Sequence, residues 1–297
     1  MDYNQQVNID LHIHSTASDG SLSPLEILDI ARDLRLGAIA ITDHDTIDGS
    51  KEALAAEIPP GLKFLTGVEI STAPPPSFSF PGSLHILGYA IRLDDPALNQ
   101  ALDLLQDSRK TRNPRIVDRL NNLGIDITLD EVLKEVGGNG QLGRPHIARL
   151  MVNKGLAESI NDAFDRYLAT GKPAYVDKFR IDSARAIEII RGAGGIPVLA
   201  HPFLIQAETD MILEELVLTL KSMGLKGIEV YYPEHTPEQV AQYTALANRH
   251  ELLITGGTDF HGSLKPDIKM GTGKGNLHIP YALYEKLIHF REQIQDL

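Results

Sequence analysis

The 297-residue sequence contains no cysteine. That absence excludes a disulfide scaffold, a zinc finger, an iron–sulfur cluster and a thiol nucleophile. Any metal held by this chain must therefore sit on histidine and carboxylate. No apolar run reaches the 18 residues of a membrane span, and the opening MDYNQQVNID lacks a basic stretch followed by an apolar one, so a soluble, cytoplasmic chain with no membrane partner is expected. Positive charge is also in short supply. Lys and Arg number 28 against 40 Asp and Glu, a formal net of −12, which argues against a protein that coats polyanions. The G-x-S-x-G of a serine elbow and the G-x-x-x-x-G-K-[ST] of a P-loop are both missing, so neither a serine nucleophile nor a P-loop is expected.

What is present is an alternation. Short apolar runs and amphipathic helical patterns follow one another at both ends of the chain, the pattern of parallel strands joined by helices. Strands are expected at residues 7–15, 38–44, 62–70, 83–91, 196–201, 225–232 and 251–261. In the first of them Val7, Ile9, Leu11 and Ile13 alternate with Asn8, Asp10, His12 and His14, which assigns the polar set to one strand face. Ser23 with Glu26, and Thr236 with Gln239, each followed by proline at the first helical position, read as capping boxes. The proline-rich APPPSFSFPGS between the third and fourth strands reads as a loop or edge excursion. From 97 to 180 the strand signal gives way to helical patterns, with breaks expected at Pro114, Gly124, the stretch from Gly137 to Gly143, and Gly171. This segment reads as a helical subdomain (97–180) inserted into a unit made of 1–96 and 181–297. It holds 13 Lys and Arg against 11 Asp and Glu, the remainder 15 against 29, so the basic surface belongs to the insertion.

The histidines fall where chemistry is expected. His12 and His14 lie near the end of the first strand, His44 ends the second, Glu69 lies near the end of the third, His201 ends IPVLAH, and Asp259 and His261 end the last. Barrel enzymes collect their functional groups at the C-terminal ends of strands, because those ends share one face. Asp19, in the loop after the first strand, and His85, on the fourth, can reach the same mouth. Nine nitrogen and oxygen ligands exceed what one tetrahedral ion uses, so two or three ions are implied. A lone histidine in such a place is more often an ordinary core or surface residue, and His235, His250, His278 and His289 keep that reading. Two close pairs at strand ends, His12 with His14 and Asp259 with His261, reverse it for the nine.

Anion contacts are expected from the insertion. Arg112, Arg115 and Arg119 share a predicted helix face with Arg109 and Lys110 nearby, either a phosphate-facing stripe or a solvated face paired with Asp103, Asp107 and Asp118. Arg144 and His146 in GRPH are sharper candidates for a substrate phosphate: Pro145 suits a helix start, where backbone N–H groups favour an anion, and Arg binds phosphate through two parallel hydrogen bonds. Gly138, Gly140 and Gly143 match G-x-G-x-x-G, but they follow the helical LDEVLKEV instead of a strand, so they read as a flexible loop flanking the site.

Taken in order, DLHIHSTASDGSLSP, AITDHDT, GVEIS, His85, LAHP and GTDFHG resemble the successive motifs of the polymerase and histidinol phosphatase (PHP) superfamily of phosphoesterases, across nearly the whole chain. The HSxxSDG start and the GRPHIAR segment resemble the subgroup that acts on nucleoside 3′,5′-bisphosphates and on short RNA from the 5′ end. The resemblance implies a distorted (β/α)7 barrel with a trinuclear cluster of manganese, iron or zinc, manganese foremost. It implies His12, His14, Glu69 and Asp259 on one ion, Glu69, His85 and His201 on a second, and Asp19, His44 and His261 on a third, with a metal-bound hydroxide held by Glu69 as the attacking group and no protein nucleophile. The expected activity is removal of the 3′-phosphate from nucleoside 3′,5′-bisphosphates, with 5′-to-3′ trimming of short 5′-phosphorylated RNA beside it and no obligate protein partner. The alternatives are a phosphatase for another small phosphomonoester such as histidinol phosphate, and a non-catalytic nucleic-acid-binding or polymerase-accessory module. Nine filled ligand positions and a near-neutral insertion argue against the latter. No general acid for the leaving group stands out in the sequence.

Overall fold

The computed structural model describes residues 7–136 and 142–295; Gly138 and Gly140 of the glycine-rich motif lie outside them. The chain begins with β1 (Ile9–Ile13), α1 (Pro24–Asp33), β2 (Ala38–Ile41), α2 (Asp48–Ala55), β3 (Lys63–Ala73) and β4 (Leu84–Tyr89). Four helices follow: α3 (Pro96–Asn122), α4 (Leu129–Val136), α5 (Arg144–Asn153) and α6 (Ile160–Ala163), the last continued by one π-helical turn to Leu168. Alternation then resumes with β5 (Ile181–Asp182), α7 (Ser183–Gly192), β6 (Ile196–Leu199), α8 (Asp210–Met223), β7 (Gly227–Tyr231), α9 (Pro237–Arg249), β8 (Leu253–Gly256) and α10 (Tyr281–Gln295).

All seven expected strands form, in the spatial order β1-β2-β3-β4-β6-β7-β8, and the two-residue β5 pairs with β3. One of them runs the other way. β4 is antiparallel to both β3 and β6, while the other neighbouring pairs are parallel. The proline-rich segment is accordingly the link between β3 and β4. Its prolines cost no ladder hydrogen bonds because they lie between the strands. The sheet curls until β1 meets the chain beyond β8: Ile13 bridges Phe260, whose carbonyl accepts the His14 N–H at 2.9 Å. Close approach there depends on Gly257, where an added Cβ would stand 2.1 Å from the Cβ of His12.

Helices cover the sheet because its outward apolar residues need cover. Ile27 and Ala31 of α1 pack with Ile39 and Ile41 of β2, and Ile187 and Ile190 of α7 pack with Val68, Ile86 and Leu199. Both expected capping boxes form, Ser23 with Glu26 and Thr236 with Gln239, each cap stabilising its helix by about 1 kcal/mol. The expected break at Pro114 does not occur. α3 passes through it for 27 residues, although an interior proline costs a helix about 3 kcal/mol. Leu98, Leu102 and Leu105 bury its first half in the sheet-side core, and Ile116, Val117 and Leu120 bury its second half in a separate core shared with α4, α5 and the π turn. Six such side chains, each contributing about 1.5–3 kcal/mol on burial, outweigh one lost hydrogen bond. Asn113, beside the proline, also donates to the Leu142 carbonyl at 2.6 Å.

Gly257→Ala is expected to push β8 off β1 and destabilise the fold by about 1–3 kcal/mol, read as a lower denaturant midpoint at unchanged m. Gly192→Ala, at the last residue of α7 where an added Cβ meets nothing within 4 Å, should leave the midpoint equal or higher.

Candidate metal centre and anion-binding cavity

Apart from β3, which runs on to Ala73, the strands are shorter than the sequence suggested, so most of the nine predicted ligands lie just past strand ends. His12 is in β1 and His14 follows it; Asp19 closes the turn after; His44 lies beyond β2, His201 beyond β6, and Asp259 and His261 beyond β8. Glu69 is inside β3. His85 sits at the beginning of β4, and the reversed direction of that strand brings its beginning to the mouth where its neighbours end. The register sets His85 opposite Ser71, two residues past Glu69. Seven of the nine are buried; His44 and His85 are half-buried.

Glu69 is the hub. Its Oε1 lies 2.7 Å from His85 Nδ1 and 2.7 Å from His201 Nε2, and its Oε2 lies 2.8 Å from His44 Nδ1, 3.3 Å from His14 Nε2 and 3.4 Å from His12 Nε2. Asp259 Oδ1 faces the same two imidazoles, 3.1 Å from His14 Nε2 and 3.7 Å from His12 Nε2. Asp19 Oδ1 stands 3.5 Å from His261 Nε2 and 3.7 Å from His14 Nδ1. Three groups have ligand atoms mutually within 4.8 Å: His14–Asp19–His44–His261, His12–His14–Glu69–Asp259 and His44–Glu69–His85.

These residues fit divalent cations. Buried His12 Nε2, His14 Nε2, His44 Nδ1, Asp19 Oδ1 and Glu69 Oε2 have no hydrogen-bond partner, a costly state for polar atoms unless a cation lies between them. Electrostatics agree. Burial disfavours the His14 imidazolium, yet Asp259 and Glu69 outweigh it and raise the group to about 9. Burial likewise opposes the Glu69 carboxylate, yet His44, His85 and His12 hold it well below the usual range. A site that favours positive charge this strongly favours a metal ion by the same interaction. Imidazole and carboxylate without sulfur suit manganese, iron or zinc.

A second layer fixes the first. Glu229, on β7, accepts from His12 Nδ1 at 2.9 Å and from the His201 N–H at 2.7 Å. The first contact leaves the His12 Nε2 lone pair aimed at Glu69 and Asp259. Asp10 accepts the N–H and hydroxyl of Thr258 at 2.9 and 2.6 Å and the Gly271 N–H at 2.8 Å, tying β1 to the loop after β8. Asp43 holds the His14–Asp19 turn through Ser15 and Ser18. Lys265 and Tyr232 both donate to Asp259 Oδ2, at 2.6 and 3.1 Å, leaving Oδ1 for the imidazoles. Asp45, His201 and Asp259 have φ of 56, 23 and 52°, a left-handed backbone costing about 1–3 kcal/mol each. The sequence reading passed over this layer. Glu229 did carry a signal, a single carboxylate inside the apolar strand run GIEVY, and its burial requires donors such as these.

Beside the cluster lies a cavity of about 1050 Å³. Asp19, His44, His85 and His261 line it, together with the cations Arg109, Arg112, Arg144, Lys178 and Arg180. Arg144 donates to the Leu168 carbonyl at 2.8 Å, with its guanidinium carbon 5.5 and 5.4 Å from the ring centres of Phe164 and Tyr175. Arg112 is buried and donates to the Val176 carbonyl at 2.8 Å. Burial, then Arg144 and Arg109, lower its pKa to about 9, a crowding of cations that a bound anion relieves. Arg109 reaches the loop after β2, where its Nε donates to Asp45 Oδ2 at 3.1 Å. Other expected contacts lie elsewhere. Arg115 is exposed and does not line the cavity, because the helix turns it away from the face that carries Arg109 and Arg112. His146 is buried, and its Nδ1 accepts the Gly143 N–H at 3.1 Å; its ring caps the start of α5 and does not face the cavity.

Comparison with known proteins agrees with this geometry. The chain is 35% identical over 257 residues to a 3′,5′-nucleoside bisphosphate phosphatase of Chromobacterium violaceum, covering 86% of this chain and 87% of the relative. It is 35% identical over 253 residues to a 5′-3′ exoribonuclease of Haemophilus influenzae, covering 85% and 89%. A solved structure from Bifidobacterium adolescentis, described as a metal-dependent phosphoesterase, superposes with a TM-score of 0.84 at 30% identity over 96% of both chains. The PHP domain model matches residues 10–113, which hold six of the nine converging side chains. With the matching sequence motifs, the curled sheet and the cluster at its mouth all in one chain, this protein belongs to the PHP domain family.

Proposed function

We propose that this chain is a metal-dependent phosphoesterase that removes the 3′-phosphate from nucleoside 3′,5′-bisphosphates and trims short 5′-phosphorylated RNA. The observation that carries the reading is the cavity's lining, which joins members of a cation-seeking cluster to five cationic side chains that seek an anion. A nucleotide with phosphates at both ends meets both requirements. The volume, just above the range of about 300–1,000 Å³ usual for small-ligand sites, also admits a neighbouring nucleotide. The relatives' names, phosphatase and exoribonuclease, match these two uses of one geometry. In this reading residues 97–180 form the substrate-binding unit on a barrel of 1–96 and 181–297.

The site would hold two or three divalent ions, manganese first and iron or zinc as alternatives. Glu69 would be shared between His12, His14 and Asp259 on one side and His85 and His201 on the other, and Asp19, His44 and His261 would hold the third position. Bound there, such ions lower the pKa of water towards neutrality and offset phosphoryl charge. The protein's own groups do the rest: Glu229 and Lys265 keep ligand lone pairs aimed, and Arg112 and Arg144 grip the remote 5′-phosphate so that the 3′-phosphorus lies over the cluster. Phosphate release from adenosine 3′,5′-bisphosphate, 3′-AMP, 5′-AMP, histidinol phosphate and a 5′-phosphorylated trinucleotide tests the reading. Preference for histidinol phosphate would overturn it.

Three substitutions probe the assignment. Glu69→Gln should lower kcat on the order of a hundredfold or more with little change in KM, since the shared carboxylate positions both sides of the cluster. Glu229→Gln offers one acceptor where two donors converge, and should reduce metal affinity about 10–100-fold, measured by metal titration. Arg144→Ala should cost about 2–4 kcal/mol in kcat/KM on adenosine 3′,5′-bisphosphate and almost nothing on 3′-AMP, which has no 5′-phosphate to grip. Equal losses on both nucleotides, at wild-type metal content, would place Arg144 elsewhere in the mechanism.

A further inference from the structure

Hydrolysis at the 3′-phosphate releases a sugar oxygen, and that oxygen needs a proton. A donor must line the cavity, stand next to the cluster and be able to give up its proton near neutral pH. Most candidates fail one condition. The cavity arginines keep their charge at any working pH. Lys265 and Tyr232 are committed to Asp259, Lys274 pairs with Glu234 at 3.4 Å, and Tyr175 donates to Asp177 at 2.8 Å.

Lys178 meets all three. It lines the cavity and makes no ion pair among the described residues; its ammonium donates to one partner, the Ser71 hydroxyl. That tether decides its position. Ser71 follows Glu69 by two residues on β3 and faces His85 across the β3–β4 pairing, so the ammonium stands beside the His44–Glu69–His85 group. The charged groups around it are Arg109 and Arg112 from α3, Asp45 from the loop after β2, and Arg180 from its own segment. Burial first, then Arg109, draw the ammonium down to about 7 in spite of Asp45.

We propose that Lys178 is the general acid of the reaction, handing its proton to the oxygen that leaves phosphorus. A water gives up one proton to solvent as its oxygen bonds to phosphorus, the bond from phosphorus to the sugar oxygen breaks with its electron pair staying on that oxygen, and the oxygen takes a proton from Lys178 Nζ to become a hydroxyl. The neutral amine regains a proton from solvent. The assignment rests on the phosphoesterase reading above.

A change of leaving atom tests it. Wild type, Lys178→Met and Lys178→Arg are compared on adenosine 3′,5′-bisphosphate and on its analogue with sulfur as the 3′-bridging atom, whose thiolate leaves without a proton. Lys178→Met should lower kcat on the oxygen substrate on the order of a hundredfold or more, and only a few-fold on the sulfur analogue. Lys178→Arg should show the same loss, because a guanidinium keeps its proton. The wild-type kcat should fall as pH rises past the pKa of the donor, and that alkaline limb should be absent from both variants. Metal content and Tm are measured on each preparation to keep the comparison between folded, loaded enzymes. Equal losses on both substrates, or recovery of kcat in Lys178→Arg, would make Lys178 a charge contact and overturn the assignment. A wild type inert on both substrates would overturn the functional reading, and this assignment with it.

Discussion

Seven buried carboxylates, Asp10, Asp19, Asp43, Asp45, Glu69, Glu229 and Asp259, stand against one buried guanidinium, that of Arg112, among the described residues. Concentrated negative charge in a place poor in water is tolerable only when hydrogen bonds or cations answer it. The rest of the structure is organised by how each carboxylate is answered. Asp10 and Asp43 use backbone and hydroxyl donors, Glu229 a backbone N–H and an imidazole, and Asp45 an arginine brought in by α3. Asp19, Glu69 and Asp259 are left facing imidazoles whose lone pairs converge with their own. Lys265 answers part of this at Asp259 Oδ2; the charge of Asp19 and Glu69 is what the polypeptide does not neutralise by itself.

How much of this could be read from the sequence depended on whether a signal was local. Seven of the converging residues stand at or near the end of an apolar run, the C-terminal ends of such runs share a face, and Asp19 in a loop and His85 on the fourth strand lie within reach of it, so the nine were named before their distances were known. Strand direction was not legible. Hydrophobic alternation is the same read forwards or backwards, so nothing in SLHILGYAI marks β4 as reversed, and the proline-rich link before it does not specify a reversal. Pro114 misled for a related reason: a local penalty is visible in the sequence, whereas the two cores that hold α3 on either side of it are not.

Two of the pairings that were missed lie far apart in sequence. Arg109 meets Asp45 across 64 positions and Lys178 meets Ser71 across 107; neither pairing leaves a pattern in the chain. Helical spacing grouped Arg115 with Arg112, but the cavity lies on one side of α3 and its spacing from Arg109 to Arg112 defines that side. His146 looked like a ligand-facing group because it follows Arg144 and Pro145, yet its nearest unanswered donor is the N–H of Gly143. Cap geometry claimed the ring first.

None of the nine converging side chains comes from the chain between Tyr89 and Ile181, and the five cations Arg109, Arg112, Arg144, Lys178 and Arg180 of the cavity lining all do. Two properties are thus written in separate stretches of sequence. Substitutions that retune recognition can accumulate in the middle of the chain while the converging set at either end stays untouched, and one scaffold can be inherited by enzymes with different substrates. One seam limits this freedom. Arg109 answers Asp45, the neighbour of His44, so any exchange of the middle segment has to bring an arginine at that place or leave this buried carboxylate without its cation, on the Ser71 N–H.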